Sequence, residues 1–103
     1  MTPEHKLMNE VRIEMSKRQC LSFRMNVGLY YSMSGDLTQS GLPKGFPDLM
    51  ILRPDGVACF IETKIHPRKP TPEQLNMQKA LRGRGYKSGT AYTVQEAVAI
   101  VFD

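Results

Sequence analysis

The segment GFPDLMILRPDGVACFIETK, residues 45–64, sets Asp48, Glu62 and Lys64 among two short apolar runs. Two carboxylates and an ammonium group brought together are the equipment of metal-assisted phosphoryl hydrolysis. Carboxylate oxygens suit a hard divalent ion such as Mg²⁺, which takes one or two carboxylates and keeps several waters. Such an ion neutralises charge on a phosphoryl oxygen and makes a water more acidic. A neighbouring lysine then positions the attacking water or stabilises the developing charge. The same residues fit a plainer arrangement, in which Glu62 and Lys64 form a rim ion pair and Asp48 is a turn residue after Pro47.

Which arrangement applies depends on register. Side chains alternate faces along a strand, so in VACFIETK the residues Ala58, Phe60, Glu62 and Lys64 share one face, and Val57, Cys59, Ile61 and Thr63 the other. Arg53-Pro54-Asp55-Gly56 is a strong turn signal between the apolar runs. With Gly56 as the left-handed bulge residue of a three-residue loop, Arg53 opposes Val57, and counting outward sets Asp48 opposite Glu62. Opposed side chains have Cβ atoms roughly 5 Å apart, and two carboxylates that close repel unless a proton or a cation lies between them. A slip of one residue would send them to different faces.

A third acid comes from the start of the chain. Thr2-Pro3 is an N-cap followed by proline at the first helical position, and Leu7, Met8, Val11 and Met15 recur at helical spacing, predicting a helix over 3–18. At 100° per residue the mean direction of that stripe passes almost through Glu4, while Glu10 and Glu14 lie off it. An acid on the apolar stripe faces the interior and needs a partner; the alternative is that Glu4 simply serves the helix N-terminus.

The remaining elements follow from pattern and punctuation. LSFRMNVG (21–28) alternates as a strand, 29–45 reads as a long Gly- and Ser-rich loop, and DLMIL and GVACFIETK form the hairpin arms. Thr71-Pro72-Glu73-Gln74 is a capping box for a second helix ending near Arg82. SGTAYTV (88–94) is a further strand, and Thr93-Val94-Gln95-Glu96 opens a short last helix as another capping box. The predicted fold is α/β, a mixed sheet flanked by helices in the order α-β-β-β-α-β-α. Gln74 and Gln78 lie one helical turn apart, either as capping and packing amides or as hydrogen-bond donors to a water or phosphate.

With 103 residues the chain is expected to be one domain, 1–103. No apolar run approaches the eighteen or so residues of a membrane span, and the N-terminus lacks the layout of a secretory signal, so a cytoplasmic protein with no membrane partner is expected. Cys20 and Cys59 have neither metal-type spacing nor a disulfide framework and are read as packed thiols; His5 and His66 are read as surface residues. Net charge is +4, a modest lean toward polyanions. The basic residues gather in HPRKP (66–70) and KALRGRGYK (79–87), so Arg68, Lys69, Arg82 and Arg84 are candidate phosphate contacts, with Lys44 a further one.

The blocks FRMNVG (23–28), GLPKGFPDLMIL (41–52), FIETK (60–64) and TPEQ (71–74), in that order, resemble the virus-type replication-repair nuclease (VRR-NUC) domain of the PD-(D/E)-x-K nuclease superfamily. The resemblance runs from Glu4 through the final helix. It implies a restriction-endonuclease-like core with Mg²⁺ or Mn²⁺ held by Asp48, Glu62 and the carbonyl of Thr63, joined by Glu4. It implies Lys64 as the catalytic lysine and Gln74 as a further site residue, and sets Asn26 and Gly28 near the site or the DNA. Small stand-alone members look like phage or prophage proteins, which implies a homodimer acting on branched DNA such as four-way junctions. Relatives often carry a longer insertion after Gly28, so the similarity gives no DNA contacts for 29–41. Tyr30, Tyr31 and Met33 are candidates for the dimer surface. The alternative function is a non-catalytic nucleic-acid-binding module that keeps the nuclease fold.

Overall fold

Thr2 opens the first helix, α1 (Pro3–Lys17), by accepting the His5 N–H on its hydroxyl at 3.1 Å, with Pro3 in the first turn where an N–H would go unpaired. The buried residues of α1 are Leu7, Met8, Val11 and Met15, the predicted stripe. The computed structural model describes residues 1–25, 29–31, 33–35, 37–39 and 41–103, the side chains of 29–31 and 37–39 excepted. After α1 the chain forms β1 (Leu21–Arg24), a shorter strand than the run 21–28 predicts, and Met25 adds one bond, its N–H reaching Asp48 O at 2.9 Å. The strand pattern over 26–28 falls outside the described residues.

The segment 29–45 is not one loop. Two short strands, β2 (Leu29–Tyr31) and β3 (Leu37–Gln39), pair antiparallel, Leu29 with Gln39 and Tyr31 with Leu37. Leu-Tyr-Tyr and Leu-Thr-Gln are β-prone triplets, and Gly35 at φ 88° turns the chain between them. The surrounding glycines and serines hide strands this short.

The hairpin has the predicted geometry. In β4 (Leu49–Leu52) and β5 (Ala58–Thr63), Leu52 faces Ala58 and Leu49 faces Ile61. Arg53 N–H donates to Val57 O at 2.9 Å, Gly56 N–H to Arg53 O at 3.0 Å, and Gly56 has φ 90°. One more step in the same register brings Asp48 opposite Glu62.

Helix α2 (Pro72–Gly83) starts on the expected capping box: the Thr71 hydroxyl accepts Gln74 N–H, and Gln74 Oε1 accepts Thr71 N–H at 2.9 Å. Strand β6 (Lys87–Ala91) stops earlier than predicted because Thr93 is already the cap of α3 (Val94–Phe102). There the Glu96 side chain reaches the N–H of Tyr92, one residue before the position a strict capping box requires.

The four-stranded sheet has the order β1-β4-β5-β6, antiparallel except for the parallel β5–β6 pair. The β-hairpin of β2 and β3 is inserted into the predicted helix and strand order. Helices α1 and α3 cover one face, where Val11, Met15, Leu49, Ile51, Cys59, Ile61, Ala97 and Val101 form the core. Each large buried side chain there stabilises the fold by about 1.5–3 kcal/mol. Helix α2 lies over the other face at the β6 edge, where the buried Gln78 donates to Thr90 Oγ1 at 2.8 Å and Thr90 is the register partner of Glu62. Cys20 and Cys59 are buried and free. Among the described residues no helix is long and apolar enough to cross a membrane.

Candidate active site

The acids meet where β4 begins and β5 ends. Glu4, Asp48 and Glu62 each offer a carboxylate oxygen, and these oxygens lie within 4.8 Å of one another. Each comes from a different element: the first turn of α1, the residue before β4, and the penultimate residue of β5. Gly45 lets the loop before Asp48 approach α2. It has φ 92°, and a Cβ there would stand 2.6 Å from the Glu73 backbone, so this position accepts only glycine. Pro47, just before Asp48, is fully buried.

Asp48 takes over the hydrogen bonding where the ladder ends. Its carboxylate accepts Thr63 N–H at 3.2 and 3.3 Å and the Thr63 hydroxyl at 2.8 Å. The buried Lys64 follows: its Nζ is 3.8 Å from Glu62 Oε2, with only 7% and 6% of the two side chains exposed. Glu4 is half-buried and pairs with Arg68 Nη1 at 3.5 Å.

The cluster strains against its own charge. Burial pushes the Glu62 carboxyl up to about 8, the Asp48 charge adds to this, and Lys64 opposes it. Burial likewise pushes Asp48 up to about 6, against the two Thr63 hydrogen bonds that favour its anion. Three hard oxygen donors this close, two of them holding protons well above the ordinary carboxylate range, fit a divalent cation. The donor set is all oxygen, without the sulfur or imidazole that would select a softer metal.

Gln74 is half-buried, and its Oε1 is engaged with Thr71 N–H; of the two glutamines, Gln78 is the inward one. Lys44 pairs with Glu73 at 3.7 Å at the start of α2. Arg82 and Arg84, near the end of that helix, donate to the carbonyls of Ser88 and Ala80 at 3.0 Å. Lys69 is exposed, as are His5, His66 and Met33. Asn26 and Gly28 fall outside the described residues, as do the side chains of Tyr30 and Tyr31.

Two partners escaped the sequence reading. Alternation puts Thr63 on the face away from the acids, but at the end of the strand its hydroxyl still reaches Asp48. The Arg68–Glu4 pair joins residues 64 positions apart, and no local pattern signals it.

No protein-family model matches the chain, and no curated protein matches it significantly. Among solved structures, one described as a "VRR_NUC domain" covers 97% of this chain and 95% of its own, with TM-score 0.71 and 23% sequence identity. The chain has the VRR-NUC fold. At that identity the likeness is one of architecture, and it agrees with the resemblance carried by the four sequence blocks.

Proposed function

We propose that the chain is a single VRR-NUC-type domain that hydrolyses phosphodiester bonds of DNA as a metal-dependent endonuclease. The observation that carries this reading is the meeting of the Glu4, Asp48 and Glu62 carboxylates within 4.8 Å, with the buried Lys64 ammonium 3.8 Å from Glu62. Asp48, Glu62 and Glu4 would hold Mg²⁺ or Mn²⁺, with the Thr63 carbonyl as a backbone ligand. A bound ion would supply Lewis-acid polarisation of a phosphoryl oxygen and a lowered water pKa.

The chain's own groups do the rest. Thr63 fixes the Asp48 carboxylate through its N–H and hydroxyl. Lys64 holds its ammonium beside Glu62, stabilising charge that builds on the phosphoryl group as the bond breaks. Gln74 serves the site through the first turn of α2, and Asn26, Lys44, Arg68, Lys69, Arg82 and Arg84 contact DNA phosphates. One domain carries one such centre and cuts one strand, so paired cuts across a four-way junction require a homodimer. The reading extends to branched DNA as preferred substrate and to a cytoplasmic phage or prophage origin.

Labelled four-way junction, flap and linear duplex, each with Mg²⁺, Mn²⁺ or chelator, test it. Cleavage is expected with either ion, strongest on the junction, and lost in Asp48→Asn. A parent that binds DNA but cuts none of these substrates with either ion is a binding module instead.

A further inference from the structure

Arg68 is the one cation that approaches the acidic cluster from outside among the described residues; Lys64 does so from within. Its guanidinium lies 3.5 Å from Glu4 Oε2 on a side chain that is 69% exposed. Its backbone, by contrast, is braced. Arg68 N–H donates to Ile65 O at 2.9 Å, Tyr92 Oη donates to Arg68 O at 2.9 Å, and the Tyr92 ring stacks on His66 at 4.0 Å and 10°. Glu4 and Arg68, with Pro3, Ile65 and His66, line a pocket of about 310 Å³ beside the carboxylates. A fixed main chain thus carries a side chain that is free to change its anion.

An exposed ion pair of this length holds its partners weakly, worth no more than roughly five-fold in an equilibrium constant. A divalent cation held by the same carboxylate would carry twice the charge and would compete the guanidinium away. Once released, a planar guanidinium fork matches a phosphate better than a single carboxylate oxygen. Resting on the metal-centre reading above, we propose that Arg68 is an exchangeable partner. It neutralises Glu4 in the metal-free protein and passes to the DNA phosphate next to the scissile one when the ion takes Glu4. Metal and DNA then bind cooperatively through this residue, and by linkage each strengthens the other by the same factor.

The test uses calorimetric titration with Mn²⁺, and fluorescence anisotropy of a labelled four-way junction with Mn²⁺ or chelator. The anisotropy is run on a Lys64→Met background that leaves the DNA intact. Arg68→Gln is expected to tighten Mn²⁺ binding roughly two- to five-fold and to abolish the gain in DNA affinity that Mn²⁺ gives the parent. The salt dependence of DNA binding should fall by about one contact in Mn²⁺ and stay unchanged in chelator. Arg68→Lys, which keeps the charge without the fork, should keep parental Mn²⁺ affinity and lose part of the gain. Weaker Mn²⁺ binding in Arg68→Gln would mean that the guanidinium merely orients Glu4. That result, or unchanged binding of both ligands, overturns the exchange while leaving the metal centre intact. A parent that takes up no Mn²⁺ overturns the metal-centre reading and the exchange together.

Discussion

Replacing Glu62 by glutamine removes a charge that the fold accommodates badly when no metal is bound. The side chain is nearly sealed from water, and its carboxyl is pushed from an ordinary 4.5 up to about 8 by burial and by Asp48. A carboxyl raised in this way stabilises the fold in its protonated form. That contribution is complete below about 4.5 and is lost as pH rises through about 8. At about 1.4 kcal/mol per pH unit the interval sets an upper limit on the order of 5 kcal/mol. Relaxation around the ionised group offsets part of that, leaving about 2 kcal/mol. A domain of this size shifts its Tm by roughly 4–8 °C per kcal/mol. Glu62→Gln should therefore melt about 10 °C above the parent at pH 9 in chelator, and close to it at pH 4.5. Saturating Mn²⁺ should reverse the order, because the parent gains about 2.7 kcal/mol at a hundred times Kd and a variant lacking one ligand gains far less. Calorimetric melts across pH, with and without Mn²⁺, make the comparison. A variant no more stable than the parent at pH 9 without metal would refute the claim that burial and like-charge crowding dominate at Glu62.

Lys64→Met should lower single-turnover cleavage by at least about a hundred-fold while leaving Mn²⁺ affinity equal or tighter by calorimetry. Thr63→Val removes the hydroxyl bond to Asp48, worth about 1.5 kcal/mol to the ionised acid, so Asp48 should titrate above about 6. Mn²⁺ uptake should then weaken several-fold at pH 6 and much less at pH 8.5. Gly45→Ala meets the Glu73 backbone at a left-handed φ and should cost about 3 kcal/mol in urea unfolding.

What was legible in the sequence was whatever short-range geometry determines. The turn Arg53-Pro54-Asp55-Gly56 dictates its own register, and parity carries that register five residues outward to Asp48. The helical wheel isolated Glu4 from Glu10 and Glu14 because 100° per residue is a property of the backbone. The Thr71–Gln74 box could be read because both halves lie within one turn. Short strands failed, since three β-prone residues on each side of a Gly-containing turn look like loop. The pairs Glu4–Arg68 and Tyr92–Arg68 span 64 and 24 positions, and only the packed fold brings them together.

The placement of Glu4 in the opening turn of α1 bears on how the protein can be handled. The chain that leads into the Thr2 cap enters within one helical turn of Glu4, so bulk or charge placed there acts directly on the carboxylates and on the cap. The far end of α3 lies elsewhere: Arg53, at the hairpin turn, donates to Val101 O at 2.8 Å and sits over the Phe102 ring. The four residues of β4, five steps and roughly 17 Å in all, separate that turn from Asp48. A label placed at the α3 end is expected to leave the carboxylates undisturbed, and one placed ahead of α1 to disturb them.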